Sequence, residues 1–264
     1  MRFIFLFSLL FSALFATQLN LSDKQADFIA QKVWKNEGAG LDKYLVHWNE
    51  GEDFASVGIG HFIWFSRGHT ERFREIFPML LAFMENRDVK MPSWLNSKTP
   101  LPWNTKAEFY AAKKAKSKKY MELFTFLKST MPLQAAFMAQ RLNEALPQIL
   151  KTIDEPKKQE LVQRRFNEVM HNKDGSVNEE GLYVLLDYTN FKGEGTLKSE
   201  RYKGQGWGLL QVLESMDPKE SNKQKAFALS AKEMLSRRIK NSPPSRGEER
   251  WREGWNVRLD TYWK

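Results

Sequence analysis

Glu37 closes a run with helical spacing (Phe28, Ile29, Val33, Trp34), and Gly38 and Gly40 follow it at once. A carboxyl group held at a helix end, partly shielded from water, is a candidate general acid. Residues 44–64 then change character. Tyr44-Leu-Val-His-Trp48 is β-prone, Asn49-Glu50-Gly51 reads as a turn, and Phe54 to Trp64 reads as one or two short strands. This segment carries Glu50, Glu52, Asp53 and Ser56. One carboxylic acid at a helix end and a second polar group across a cleft can cleave a glycosidic bond. The first protonates the leaving oxygen, and the second manages water or the developing cation. Glu50 is the first choice for that second group, with Asp53 as substitute, and Ser56 helps to place water. Trp34 and Trp64 are expected to desolvate Glu37 and raise its pKa. Trp48 and Trp64 are candidate sugar-binding surfaces.

A second segment suits the opposite wall of such a cleft. Residues 193–208 hold five glycines (193, 195, 204, 206 and 208), between Asn190 and Gly208-Leu-Leu-Gln211. Glycine permits unusual torsions and close approach of backbone to a ligand. Asn190, Gln205 and Trp207 are the candidate sugar contacts there. The alternative is a loop that joins two helices, with Trp207 plugging the core.

The order Glu37-Gly38, Glu50, Ser56-Val-Gly-Ile-Gly-His61 resembles the phage-type lysozyme family. That family carries a Glu at the end of its first helix, then an Asp, then a Thr entering a Gly-Ile-Gly-His strand. Gly58-Ile-Gly-His61 matches outright, and the five residues 51–55 between Glu50 and Ser56 reproduce the family spacing. The chain departs from the pattern in three ways. Twelve residues (38–49) separate Glu37 from Glu50 where the family has eight, Glu stands for Asp, and Ser stands for Thr. Gly208-Leu-Leu-Gln211 is similar to the Gly-Leu-Met-Gln element of lytic transglycosylases and goose-type lysozymes.

The resemblance implies a mainly α, two-lobed lysozyme-like fold with a small β-hairpin and a central cleft. It implies a peptidoglycan-cleaving glycoside hydrolase of muramidase type with Glu37 as general acid and no cofactor. A lytic transglycosylase using Glu37 alone, a chitosanase-like hydrolase and a non-catalytic cell-wall-binding protein are the other readings. His61 is expected to be structural, bonded to a nearby carboxylate.

The elements that must position these groups are mostly helices. Ser22 with Gln25 and Thr105 with Glu108 read as capping boxes. Phe73, Ile76, Phe77, Leu80, Leu81 and Met84 make one apolar stripe, with Pro78 as a kink. Further helices are expected over 106–129, 133–151, 157–171, 179–189, 207–216 and 220–240. Residues 250–262 read as a closing helix or turn. The expected division is a small lobe over 17–95 and a helical lobe over 105–264, both within one catalytic domain at 17–264.

Composition bounds the partners. Arg2 followed by the apolar run Phe3–Ala16 reads as a signal peptide over 1–16, with an uncleaved N-terminal anchor as the alternative; cleavage implies a periplasmic or secreted protein with no membrane span. The net charge is +9, one less without that segment's single Arg. Such a charge suits a polyanionic partner such as peptidoglycan or a related amino-sugar glycan, and export disfavours nucleic acid. The absence of Cys excludes disulfides and thiol catalysis, and the four His lack metal-ligand spacing. Asn172-Lys-Asp-Gly175 resembles the start of a calcium loop, but Gly181 occupies the position of the bidentate acid. The lysine-rich run 111–119 reads as the solvated face of a helix.

Overall fold

The computed structural model describes residues 21–69 and 74–264. The expected signal peptide, and Phe73 of the apolar stripe, lie outside the described residues. Among the described residues, the chain forms ten α-helices and two small antiparallel sheets.

The first helix, α1 (Asp23–Gly38), starts at the expected capping box. The Gln25 N–H donates to Ser22 Oγ at 3.3 Å, and the Ser22 N–H donates to Gln25 Oε1 at 3.0 Å. Ala39 ends the helix in the left-handed conformation at φ 50°, and the Gly40 N–H returns to the Trp34 carbonyl. This left-handed termination leaves Glu37 in the last turn.

A three-stranded sheet follows: β1 (Val46–His47), β2 (Ala55–Val57) and β3 (Phe62–Trp64), in that order. Its register pairs Val46 with Val57 and Val57 with Phe62, all buried against the core. The opposite face carries His47, Ser56 and Ile63 as partners. Period-two alternation thus places Ser56 on the face turned from the core.

The helix α2 (Phe77–Glu85) begins later than the apolar stripe suggests. Pro78 sits in its first turn, where a missing N–H costs nothing, and so opens the helix rather than kinking it. The expected helix over 106–129 is two helices, α3 (Lys106–Lys114) and α4 (Lys118–Ser129). Lys116 turns left-handed at φ 48° between them, and Ser117 caps the second. Beyond them lie α5 (Met131–Lys151), α6 (Pro156–Met170), α7 (Glu179–Lys192), α8 (Leu209–Ser215), α9 (Lys223–Asn241) and α10 (Arg252–Asp260). A two-stranded ribbon, β4 (Arg201–Tyr202) with β5 (Gln205–Gly206), precedes α8.

The central element is α7. Every residue from Gly181 to Thr189 is buried, and α5, α6, α8 and α9 all pack against it. A helix apolar on all sides belongs inside a core. Gly181 is required at the crossing with α6, because a Cβ there would lie 1.8 Å from the Val169 carbonyl oxygen. The buried hydrophobic side chains form one continuous cluster from Ile29 to Tyr262, and both expected lobes contribute to it. No helix among the described residues is long and apolar enough to cross a membrane.

Candidate functional site

Glu37 lies where α1, the β2–β3 turn, α7 and α10 meet. Its side chain is 13% exposed. Arg258 Nη2, from α10, donates to Glu37 Oε1 at 2.7 Å, and Asn190 Nδ2, from α7, donates to the same oxygen at 3.3 Å. The other oxygen, Oε2, has His61 Nδ1 at 3.8 Å, an ion-pair distance too long for a hydrogen bond.

The turn that brings His61 to Glu37 is built from the Gly-Ile-Gly-His segment. Gly58 is left-handed at φ 75°, and an added Cβ would lie 2.4 Å from Gln134 Oε1. That oxygen accepts from the Ile59 N–H at 2.8 Å, and Gln134 Nε2 donates to the Leu127 carbonyl, so the start of α5 anchors the turn. Asn190 Nδ2 also donates to the Gly60 carbonyl at 2.9 Å and so links turn and acid. His61 itself is left-handed at φ 46°, a conformation costly for a non-glycine residue, and its Nε2 is buried without a partner.

Arg258 is shared. Its Nε and Nη2 both donate to Asp187 at 2.8 Å, and Asp187, fully buried on α7, also accepts from the Tyr262 hydroxyl at 2.6 Å. One guanidinium therefore serves two carboxylates.

This arrangement corrects the expected raised pKa. Burial is the largest single influence on Glu37 and does push its pKa up. The Arg258 charge and hydrogen bond, with smaller help from His61 and Asn190, outweigh it and hold the carboxyl below its ordinary value. The correction arises because the guanidinium comes from a helix 221 positions away. Trp64 is fully buried, and its indole N–H donates to the Thr99 carbonyl at 3.0 Å rather than to Glu37.

The remaining candidates are scattered. Glu50 and Asp53 are exposed in the β1–β2 connection, where Lys106 Nζ binds the Glu50 carbonyl at 2.5 Å. Neither carboxylate touches Glu37. Glu52, in the same connection, accepts from Asn49 Nδ2 at 2.8 Å. Ser56 is buried on the β2 face opposite His47. Trp48 is buried too, its N–H donating to the Glu52 carbonyl, so neither Trp48 nor Trp64 offers a free ring face to a sugar. Trp207 packs on Tyr202 and Arg238 in the core, its carbonyl accepting from the Tyr188 hydroxyl. Gln205 is exposed and accepts from Asn241. Of the second segment, only Asn190 reaches Glu37.

The clustered glycines have an internal role. Gln211 Nε2 donates to the Gly195 carbonyl while its Oε1 accepts from the Gly208 N–H. A Cβ on Gly208 would sit 2.2 Å from the Gly195 nitrogen. The glycines let two backbones touch and Gln211 clasp them.

Sequence reasoning missed Arg258, Asp187 and Tyr262. Asp187 did leave a signal, as a lone acid in the apolar run Gly181-Leu-Tyr-Val-Leu-Leu-Asp-Tyr188. A buried acid needs a cation, and the closing segment supplies Arg258. Among the described residues, no three His, Cys, Asp or Glu side chains converge to hold a metal ion. No protein-family model matches the chain, and neither the curated proteins nor the solved structures contain a significant match to it.

Proposed function

We propose that the protein is an exported glycan-cleaving enzyme of lysozyme-like architecture. It acts on peptidoglycan or a related amino-sugar polymer, with Glu37 as general acid. The observation that carries this reading is the division of labour between the two oxygens of Glu37. Oε1 is held by Arg258 and Asn190, while Oε2 has no hydrogen bond and faces His61. A carboxyl oriented through one oxygen can carry a proton on the other to a glycosidic oxygen.

The depressed pKa leaves Glu37 ionised at rest, so the role requires that bound substrate raise it. Burial is the largest influence on Glu37, and a sugar in the cleft removes more water from it. Asp187 takes two of the Arg258 donor contacts, which limits how firmly the guanidinium can keep Glu37 ionised. The high positive charge suits an anionic wall polymer.

A lytic transglycosylase is the second reading. It is favoured by the exposed placement of Glu50 and Asp53, neither of which contacts Glu37. Such an enzyme needs one acid, because the sugar's own hydroxyl attacks. Digestion of purified sacculi followed by mass spectrometry separates the readings: reducing ends mean hydrolysis, 1,6-anhydro ends mean transglycosylation. Release of neither, or equal release by Glu37→Gln, rejects glycan cleavage by Glu37.

A further inference from the structure

Beside Glu37 lies a stack of alternating cations and aromatic rings. The Arg258 guanidinium lies 4.0 Å from the centre of the Phe191 ring. Lys192 Nζ lies 3.8 Å from that of Phe191 and 3.6 Å from that of Trp255. The Arg238 guanidinium follows, 5.2 Å from the Trp255 ring and 4.3 Å from the Trp207 ring. Both ends are paired with carboxylates. Arg258 holds Glu37 and Asp187, and Arg238 holds the buried Glu248 through two hydrogen bonds at 2.8 and 2.9 Å. Among the described residues, Lys192, between them, has no carboxylate within ion-pair distance, only the two ring faces.

We infer that Lys192 forms a subsite for a carboxylate carried by the substrate, next to the bond that Glu37 cleaves. The inference rests on the glycan reading and names what that glycan must carry: an amino sugar with an acidic substituent, as muramic acid has. Three observations converge on it. Lys192 is the last residue of α7, two positions after Asn190, so the helix that binds Glu37 also places the ammonium. The residue is half-buried, and its ammonium lies against two ring faces rather than free in solvent. Rings on both sides fix the side chain and reduce the entropy lost when an anion binds. Burial, then Arg238 and Arg258, hold the Lys192 pKa well below its ordinary value. An incoming carboxylate relieves that cost by supplying the missing counter-charge. A neutral amino sugar supplies none.

The test uses two soluble glycan probes with the same alternating backbone. One is unmodified peptide-free wall glycan, which carries lactyl carboxylates, and the other is the same glycan with those carboxylates amidated. Affinity is measured by calorimetry, and cleavage by product mass spectrometry, for the wild type, Lys192→Met and Lys192→Arg. Methionine keeps an unbranched chain between the rings, and near-ultraviolet circular dichroism checks that each variant is folded. The wild type should bind the acidic glycan roughly ten- to a hundredfold more tightly than the amidated one, the range of a charged hydrogen bond. Lys192→Met should lose that preference while binding the amidated glycan as the wild type does, and Lys192→Arg should retain it. Equal binding of both glycans by the wild type, or a preference that survives in folded Lys192→Met, overturns the subsite and leaves glycan cleavage standing. If neither glycan is bound or cleaved, the glycan reading itself fails and the subsite goes with it. Should Lys192→Met not fold, loss of the preference in Lys192→Gln decides in the same way.

Discussion

Arg258 on the last helix and Glu37 on the first meet at 2.7 Å, and the same guanidinium is held from behind by fully buried Asp187. The contact joins the two ends of the described chain at the point where the candidate acid sits. It sets the orientation of the carboxyl and opposes the effect of burial on its charge. A buried guanidinium between two carboxylates also avoids the larger cost of an unpaired charge at either position.

Glu37→Gln should abolish turnover on sacculi while leaving binding intact, because the amide cannot deliver a proton. General acid catalysis is typically worth about 10²–10⁴-fold. The same variant has a pH signature in stability. The folded-state pKa of Glu37 lies below its unfolded value, so its ionised form stabilises the fold above the ordinary glutamate range. That contribution is lost as pH falls through the lowered folded value. The stability of the wild type relative to Glu37→Gln should therefore decline on acidification through this window. Denaturant unfolding at a series of pH values would measure it, and parallel profiles would contradict the depressed pKa.

Arg258→Met should raise the pKa of Glu37, since burial, the dominant upward influence, would then act against weaker opposition. As Glu37 must be protonated to act as general acid, the alkaline limb of the pH–activity profile should move to higher pH. Removing one partner of a buried pair typically costs about 3–5 kcal/mol, and here it strands Asp187. Adding Asp187→Asn to Arg258→Met should recover part of the lost melting temperature, because the amide needs no counter-charge. An additive double variant would show that the two residues do not act as a unit.

Local features were legible in the chain and long-range ones were not. The Ser22–Gln25 capping box and the left-handed stop after Glu37 depend on residues a few positions apart. The Gly-Ile-Gly-His turn was visible because glycine is needed where Gln134 presses on Gly58. The helix break at Lys116 was invisible, since a left-handed lysine leaves no pattern. The sign of the Glu37 shift depended on Arg258, which apolar periodicity could not bring to α1. Trp48, Trp64 and Trp207 illustrate the same limit. An indole suits a sugar or a core equally well, and only burial distinguishes them.

Glu50→Gln and Asp53→Asn should each leave most of the glycan-cleaving activity intact. Both side chains are exposed, in the connection between β1 and β2, and neither touches Glu37. An inverting hydrolase with Glu50 as base would instead lose most of its rate, because water would lack activation. Initial rates on sacculi for the two variants test this directly. A severe loss in Glu50→Gln with unchanged melting temperature would reinstate the two-carboxylate mechanism.

Trp207→Ala should damage stability and leave the affinity of the folded fraction unchanged. The ring is buried against Tyr202 and Arg238, and the backbone on either side is committed as well. The Trp207 carbonyl accepts from Tyr188 at 2.6 Å, and the Gly208 N–H donates to Gln211. Truncating a buried Trp typically costs about 3–5 kcal/mol. Gly208→Ala should be comparably harmful for a different reason, since its Cβ would meet the Gly195 nitrogen at 2.2 Å and neither backbone can yield. Gly204→Ala has open space around it and suffers only the strain of a left-handed alanine at φ 77°, on the order of 1 kcal/mol. The expected order of melting temperatures is therefore wild type, then Gly204→Ala, then the other two well below. A Trp207→Ala variant that melts like the wild type and binds glycan more weakly would place the ring at the substrate after all. Near-normal stability in Gly208→Ala would show that the Gln211 clasp is not what the clustered glycines are for.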